Sequence, residues 1–487
     1  MIRTDILIVG AGPAGLTLAC DLARRSIDFL IIERLAERVH ASKGKGIQPR
    51  TLEIFGDLGI VDAVIAAGRP YPRLGFHEGG EIVREQAMMT ERAPSEAVPY
   101  PNPVMIPQWK TEEILEDRLA QLGGAVRRGW GFVGFVQDAD QIVVEAETPD
   151  GRVAISTRYL VAADGGRSPV RTAANIPLEG ETPKLEGLLV ADVTVADLDR
   201  DHWHVWGPSM REFVTLCPLP STDAFQFQAA LKLDENPEPT LETLRTWLER
   251  RAGAYAPRLL DQSWISVFRP NIRMAGQYRQ GRLFLAGDAA HVHPPAGAQG
   301  LNTSVQDAYN LGWKLATALA QGSNEALLDS YEAERLPVAA AVLGLSGLLY
   351  KKGLDGEEAG MRRADDEHQL QLNYRGSPIV AMPADAGATL PLAPGDRMPN
   401  VALKAVNGTS CDLFTLLRGE LPTLIGIDSE CVTPADPLYL FEPTRRLRID
   451  TSESGTATWR SAGPLLAALT GRTIAIRPDG YVASIGS

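Results

Sequence analysis

Three glycine-rich turns in the sequence have the residue types and spacing to bind a nucleotide. The first, Gly10-Ala11-Gly12-Pro13-Ala14-Gly15, lies between an apolar run at 5–9 and a helical pattern that begins at Leu16. In such a turn the first glycine permits a tight bend, the second lets a pyrophosphate approach the backbone, and the third lets helix and strand pack closely. The N-terminus of the following helix offers unpaired N–H groups and a partial positive charge to the anion.

An acidic residue at the end of the next strand completes this first motif. A second apolar run at 28–32 leads to Glu33, 18 residues after Gly15, where a carboxylate can accept a hydrogen bond from a ribose hydroxyl. Strand, turn, helix and strand in this order predict a βαβ unit in a parallel sheet. The stretch 129–134 matches the same glycine spacing, but it contains Trp130 and Phe132 and precedes a strand pattern. We interpret its glycines as ordinary strand or turn residues.

Two later apolar runs also end in polar glycine turns. The run 159–163 leads into Asp164, and the run 282–286 leads into Gly287 and Asp288. Parallel sheets present polar groups at the carboxyl ends of their strands. The motif that contains Gly287 and Asp288 continues to a glycine turn at 297–300, which opens a predicted helix at 301–321 whose first N–H groups favour an anion. Each Asp-Gly turn alone fits an ordinary loop, whereas the three motifs together are specific.

Length and charge exclude several classes of protein. A chain of 487 residues predicts about three folding units. Lys and Arg total 48 against 61 Asp and Glu, a net charge of −13, so we expect no nucleic-acid partner. The apolar stretch 338–350 is shorter than the ~18 residues that cross a bilayer, and the chain enters a strand directly after its first residues. We therefore expect a cytoplasmic protein without a membrane partner.

Cysteines and histidines give no persuasive metal or redox site. The four cysteines form no C-x-x-C pair. His202 with His204, and His291 with His293, form two H-x-H pairs that a strand would place on one face, but a metal site needs a third ligand. We predict packing roles for the first pair and a supporting role beside the glycine turn for His291. No metal is predicted.

The coarse pattern predicts two further structural units. Prolines concentrate in 70–107, which indicates loop and edge structure, and an alternating pattern at 188–232 predicts a second, mostly antiparallel sheet. Composition changes near 352–385, where we place a linker. The last hundred residues have the pattern of a separate small α/β unit.

The order of these motifs resembles one family. GAGPAG, then AADGGRSPVR, then GDAAHVHPPAGAQGLN with DAYNLGWKLA is similar to the group A flavoprotein monooxygenases, the FAD-dependent aromatic hydroxylases of the para-hydroxybenzoate hydroxylase superfamily. The resemblance covers about residues 1–350. The C-terminal hundred residues resemble the thioredoxin-like tail of the phenol hydroxylase and polyketide hydroxylase branches, where we expect a structural role.

The resemblance implies an α/β fold with three parts. A Rossmann-like FAD-binding domain would comprise 1–180 and 270–350. A mostly antiparallel substrate domain would be inserted at 181–269, joined by part of 70–105. A helix or linker at 351–385 would lead to a thioredoxin-like domain at 386–487.

The resemblance also assigns residues to the cofactor. Gln108 would contact the ribityl-phosphate side of the flavin, Asp164 would lie near FAD and the nicotinamide cofactor, and Asp288 would bind the ribityl chain. Backbone N–H groups of 300–302 would face the flavin's pyrimidine edge. The family also has basic residues in the loop after Arg34, and here Lys43, Lys45 and Arg50 are the alternatives for the phosphate contact. The family's flavin loop often has two glycines where this chain has Gly297-Ala298, so a positive φ at Ala298 would be costly. The predicted cofactor residues are Gly10, Gly12, Pro13, Ala14, Gly15, Glu33, Arg34, Lys43, Lys45, Gln108, Asp164, Gly287, Asp288, Pro295, Gly300, Leu301 and Asn302.

The implied activity needs no catalytic side chain. NADPH or NADH would reduce FAD, which would react with O2 to give a flavin hydroperoxide and hydroxylate a phenolic or polyketide-type aromatic substrate. The substrate would lie between the flavin and the second sheet. Baeyer–Villiger or epoxidising chemistry, or FAD binding without catalysis, remain alternatives, and we expect a monomer or homodimer. Candidate apolar walls are Trp203, Trp206, Phe213, Phe225 and Phe227, of which alternation sends about half to the core.

Overall fold

The computed structural model describes residues 1–181, 187–209, 211–269, 271–294, 297–322, 324–354, 365–381, 390–433, 443–452 and 457–486. Pro295, one of the predicted cofactor residues, lies outside the described residues. The α-helices within these ranges are Pro13–Arg24 (α1), Pro49–Leu58 (α2), Val61–Ala67 (α3), Gln108–Gln121 (α4), Pro169–Ala173 (α5), Leu241–Ala252 (α6), Gly300–Gln321 (α7), Glu325–Leu354 (α8), Leu413–Leu417 (α9) and Pro464–Ala467 (α10).

The strands fall into groups that alternate with these helices. Those of the first half are Ile2–Val9 (β1), Phe29–Glu33 (β2), Gly46–Ile47 (β3), Arg73–Glu78 (β4), Glu81–Gln86 (β5), Val104–Met105 (β6), Val126–Arg128 (β7), Gly131–Gln137 (β8), Ile142–Thr148 (β9), Gly151–Ala162 (β10), Leu178–Glu181 (β11), Gly187–Ala196 (β12), His202–Trp206 (β13), Val214–Pro218 (β14) and Phe225–Leu231 (β15). Those of the second half are Arg258–Phe268 (β16), Ile272–Ala275 (β17), Arg279–Gln280 (β18), Leu283–Leu285 (β19), His291–Val292 (β20), Ala402–Ala405 (β21), Ser410–Asp412 (β22), Thr423–Ile427 (β23), Arg445–Asp450 (β24), Trp459–Arg460 (β25), Thr473–Ile476 (β26) and Val482–Gly486 (β27).

The first sheet is built around parallel strands, as the βαβ pattern predicts. Its order is β18-β19-β10-β1-β2-β7, and β1 pairs in parallel with both β10 and β2 while β10 pairs in parallel with β19. The central residues of β1, such as Leu7 and Ile8, have no exposed surface. The helix α1 packs on this sheet, and α4 and α7 pack on α1 within the same buried cluster. The predicted α/β class is confirmed, and the carboxyl ends of β1, β10 and β19 lie at one edge.

The second sheet is mostly antiparallel, in the order β16-β12-β15-β14-β13-β4-β5. One face packs against α6 around Phe227, Leu244 and Trp247. The hairpin β4–β5 belongs to this sheet, and β4 pairs in parallel with β13. The sequence predicts loop and edge structure for 70–107, and β4 and β5 lie at one edge of the second sheet, in a stretch that contains no proline between Pro72 and Pro94.

The C-terminal unit is an α/β structure with its own sheet, ordered β22-β21-β25-β24-β23-β26-β27. Leu413, Ile425, Ile449 and Ile474 are fully buried in its core. The unit packs closely on the first one, because Leu424 and Ala475 share a buried cluster with Trp313 of α7. Its predicted thioredoxin-like character remains a prediction.

The helix α8 is long and apolar enough, over Glu325–Lys352, to cross a membrane by length and composition alone. The sequence-based estimate of a shorter apolar stretch missed this because the helix extends on both sides of 338–350. Core helices pass the same test, and α8 holds Leu327, Tyr331 and the ion-paired Arg335 without exposed surface.

Candidate active site

The three predicted turns meet at the edge of the first sheet. A Cβ at Gly10 would lie 2.3 Å from the carbonyl oxygen of Ala163, next to Asp164. A Cβ at Gly287 would lie 3.2 Å from the Cβ of Ala14. The turns after β1, β10 and β19 are therefore in direct contact, and they bring together polar residues that are far apart in the sequence.

The glycines of the first turn are required for different reasons. Gly10 has φ +105°, and a Cβ at Gly15 would lie 1.9 Å from the carbonyl oxygen of Gly10, so packing within the protein requires both. Gly12 has φ −81°, and a Cβ there would meet no atom within 4 Å. Packing within the protein therefore does not explain why residue 12 is a glycine. The open space in front of Gly12 fits the approach of a pyrophosphate.

The helix α1 begins directly behind this space. Pro13 occupies its first turn, Gly12 gives no side-chain cap, and the first turn contains no acidic residue. Its N–H groups are therefore available to an anion. Glu33 ends β2 beside the turn and accepts the N–H groups of Ala11, at 3.1 Å, and Leu35, at 3.0 Å. The carboxylate therefore lies beside the first turn, and its contact with a ribose remains a prediction.

We call the region between the three turns, α4 and the second sheet the cleft. Gln108 is the first residue of α4. Its Oε1 accepts the Gly44 N–H at 3.1 Å, and its Nε2 donates to Glu112 at 2.8 Å, so the side-chain amide is fixed at both ends. Burial raises the pKa of Glu112 to about 7, and the neighbouring Glu33 charge adds to the shift, against the effects of Gln108 and Lys43. The sequence analysis missed Glu112 because no motif marks it.

Asp288 faces the cleft from the turn after β19. Its side chain remains accessible to solvent, although protein atoms surround it on most sides. These surroundings raise the pKa of its carboxyl, and the charges of His291 and Lys43 oppose the shift. Lys43 is exposed and acts electrostatically on both Asp288 and Glu112. Among the predicted basic residues, Lys43 is therefore the one whose charge acts on both carboxyls, and its contact with the phosphates remains a prediction. Arg34 is exposed just beyond Glu33.

A buried carboxylate positions the turn that carries Asp288. Asp307 of α7 accepts the Gly287 N–H at 3.0 Å and contacts His291 Nε2 at 2.7 Å and Arg335 Nε at 2.7 Å. The guanidinium of Arg335 and the His291 ring hold the pKa of Asp307 below its usual range despite its burial. His291 therefore has the supporting role predicted for it. Asp307 is the first residue of the DAYNLGWKLA motif, so the sequence marks this residue but does not indicate what it contacts.

The N-terminus of α7 forms the far wall of the cleft. Asn302 donates from Nδ2 to the carbonyls of Gly46, at 2.8 Å, and Ala298, at 2.6 Å, while its Oδ1 accepts the Gln48 N–H at 2.8 Å. Ala298 has φ +52°, a left-handed backbone conformation that costs more free energy for alanine than for glycine. The helix starts at Gly300 without a side-chain cap, so its first N–H groups are available to a ligand.

Asp164 has both a structural contact and an unpaired oxygen. Its Oδ2 accepts the Val170 N–H at 3.2 Å at the start of α5. Its Oδ1 is buried and has no hydrogen-bond partner among the described residues. Burial raises the pKa of this carboxyl. Such an orphaned acceptor is costly unless a ligand or water satisfies it.

The face of the second sheet that does not pack on α6 lies toward this cleft. Asp192 Oδ2 accepts the Ser42 N–H at 2.8 Å, and Gln226 Oε1 accepts from Lys45 Nζ at 2.6 Å. Lys45 is one of the predicted basic residues, and the structure directs its ammonium to the second sheet, because the backbone at 44–47 is fixed against 104–106. We call the face that carries Asp192, Gln226 and Trp203 the inner face.

The aromatic residues divide between the two faces of the second sheet, as alternation predicts. Trp203 packs with Val205 and Leu74 on the inner face, and Phe213 packs with Leu188 and Val190. Trp206, Phe225 and Phe227 pack instead on the outer face beneath α6. Only two of the five predicted wall residues therefore face the cleft.

The first histidine pair contributes to the outer face. His204 Nδ1 lies 2.8 Å from His77 Nε2, and its Nε2 lies 3.0 Å from the Asp199 carbonyl. Burial lowers the pKa of His77 to about 4, with a further contribution from His204. Within the described part of the chain, no group of three or more His, Cys, Asp or Glu side chains is placed to hold a metal ion.

Comparisons with known proteins agree with this geometry. A family described as "FAD binding domain" matches residues 3–346. A flavin-dependent monooxygenase of Mycobacteroides abscessus is 38% identical over 98% of this chain and 96% of that protein. The 12-dehydrotetracycline 5-monooxygenase/anhydrotetracycline 6-monooxygenase of Streptomyces rimosus is 34% identical over 99% and 95%. The crystal structure of aklavinone-11 hydroxylase with FAD and aklavinone superposes with a TM-score of 0.82 at 26% identity, covering 100% of this chain and 96% of that one.

Proposed function

Because the chain belongs to the FAD-dependent group A flavoprotein monooxygenases, we propose that it hydroxylates a phenolic or polyketide-type aromatic substrate, using NADPH or NADH as hydride donor and O2 as the oxygen source. When bound, FAD would supply the redox chemistry, accepting the hydride and activating the oxygen. The observation that supports this proposal best is the meeting of three turns opposite the inner face of a second sheet.

The residues of the cleft have complementary roles in this proposal. The space in front of Gly12 and the N-terminus of α1 would receive the pyrophosphate, with Lys43 adding positive charge. Glu33 would accept from the ribose, and Asp288 from the ribityl hydroxyls. The first N–H groups of α7 would stabilise negative charge on the pyrimidine edge of the reduced flavin. Gln108, held by Glu112, would orient the middle of the cofactor.

The inner face would hold the substrate and exclude water. Leu188, Val190 and Phe213 supply apolar surface, and Asp192 and Gln226 supply polar groups among them. An apolar site with a few placed polar groups is typical for a small aromatic ligand. Water must be kept out because it diverts the activated oxygen to hydrogen peroxide.

The proposal is tested with the purified FAD-loaded protein. NAD(P)H oxidation is followed with and without phenols and hydroxylated polyketides, and each product is analysed by mass spectrometry. We expect an aromatic substrate to accelerate the oxidation and to gain one oxygen, with the ring carbon skeleton intact. An oxygen inserted between carbonyl and ring carbons would indicate Baeyer–Villiger chemistry, and a flavinated protein that oxidises no NAD(P)H would contradict the proposal.

Replacement of Asp288 by alanine is expected to weaken FAD binding by about 10- to 100-fold, since hydrogen bonds to a charged group contribute about 1.5–3 kcal/mol. The measurement is the dissociation constant of FAD by flavin fluorescence. Asp138→Ala is the matched control, because Asp138 caps an exposed turn between β8 and β9, at the opposite edge of the first sheet. A fully flavinated and active Asp288→Ala variant would refute the assignment.

A further inference from the structure

Lys45 lies where the first unit meets the second sheet, and it is only 9% exposed. The next residue, Gly46, accepts a hydrogen bond from Asn302 at the N-terminus of α7. The Lys45 ammonium lies 2.6 Å from Gln226 Oε1 and 3.7 Å from the ring centroid of Trp203. A buried cation is thus fixed between the predicted flavin loop and the inner face.

Several buried polar atoms of the inner face have no hydrogen-bond partner among the described residues. They are Asp192 Oδ1, Thr215 Oγ1 and Gln86 Nε2, on side chains that are 3%, 6% and 9% exposed. Asp192 pairs across the sheet with Gln226, and Thr215 with Gln228, so they point to the same side. Buried polar atoms are rarely left unpaired, and a cluster of them on one face indicates a polar ligand.

The charges around Lys45 favour an anion beside its ammonium. Asp192 is the acid of the inner face, and burial raises the pKa of its carboxyl while the Lys45 charge opposes that shift. Burial also raises the pKa of the Cys217 thiol, whose side chain hydrogen-bonds with Lys45, and Arg69 and Arg200 add positive charge nearby. Arg69 itself donates to the Pro218 carbonyl at 3.1 Å.

We propose that Lys45 binds the ionised oxygen of an acidic phenol, one whose hydroxyl is conjugated through the ring with a carbonyl, while Asp192 contacts a neighbouring hydroxyl of the same substrate. This inference rests on the proposed function and specifies the substrate class of that site. An ionised oxygen donates electron density to the ring and makes the ring more reactive toward an electrophilic oxygen. Gln226 holds the ammonium in place, and Trp203 covers it.

The experiment uses the FAD-loaded protein and alizarin, a dihydroxyanthraquinone whose absorbance reports its ionisation. The spectrum of the bound dye is recorded across pH for wild type, Lys45→Met and Lys45→Arg. We expect wild type to lower the pKa of the bound dye by about 1–3 units, the shift typical of a close opposite charge. Lys45→Arg should keep most of this shift, and Lys45→Met should lose it.

FAD content separates this role from a role at the phosphates. Lys45→Met should retain FAD, whereas Lys43→Met should retain less. Loss of FAD in Lys45→Met, an equal dye shift in Lys45→Met and wild type, or no dye binding by wild type would each overturn the proposal. If wild type binds the ionised dye but adds oxygen to no phenol, the assignment of Lys45 stands and the proposed function fails.

Discussion

Replacement of Gly12 by valine is expected to leave the protein folded and to weaken FAD binding by about 100-fold, or ~2.7 kcal/mol. Gly12 has an extended backbone that any residue adopts, and a Cβ there meets no protein atom within 4 Å. The side chain would instead fill the space that the pyrophosphate needs. Thermal unfolding of the cofactor-free protein and titration with FAD measure the two effects separately.

The chain supplies matched controls for this variant. Gly134 belongs to the second G-x-G-x-x-G stretch and also has no neighbour within 4 Å of a Cβ, so Gly134→Val should leave FAD binding unchanged. Gly15→Ala should instead prevent correct folding, because its Cβ would lie 1.9 Å from the Gly10 carbonyl oxygen. Normal FAD affinity in Gly12→Val would show that the pyrophosphate does not approach this backbone.

The features that the sequence predicts well are local. The Gly10–Gly15 turn and the apolar runs around it are set by neighbouring residues, and the structure places them as expected. Helix starts were less accurate: α1 begins at Pro13 rather than Leu16, because proline suits the first turn of a helix but adds nothing to its apolar pattern. Strand β1 begins at Ile2 because that residue pairs with Ile155, which no local pattern reports.

The substrate side of the site depends on contacts between distant residues. Lys45 and Gln226 are 181 positions apart, and the sequence around Lys45 does not distinguish a phosphate contact from a contact with the second sheet. The prediction of loop and edge structure for 70–107 does not locate the hairpin 73–86 for a related reason: its pairing partner, β13, lies more than a hundred residues later in the sequence.

The contact between the C-terminal unit and the first unit is also non-local, and it is ionic. Arg477 has no exposed surface and contacts Glu334 of α8 at 2.6 and 2.9 Å, as well as Asp479. Lys314 of α7 contacts the same Glu334 carboxylate at 2.7 Å. These cations hold the pKa of Glu334 far below its usual range despite its burial. Removal of 386–487 would leave this carboxylate without its arginine, so a point variant tests the contact more cleanly than truncation.

Replacement of Arg477 by methionine is expected to lower the free energy of unfolding by about 3–5 kcal/mol, the cost of leaving a buried charge without its partner. Urea unfolding at neutral pH, followed by tryptophan fluorescence, measures this loss. Arg448→Met is the control within the same unit, because the Arg448 side chain is 39% exposed and contacts the exposed Glu430 at 2.9 Å and Asp450 at 3.3 Å. A much smaller loss of stability is expected for this half-exposed arginine. The double variant Arg477→Met with Glu334→Gln should lose less than the sum of the single losses, since the two residues interact directly. Equal stability of Arg477→Met and Arg448→Met would show that the C-terminal unit is not held to α8 by this contact.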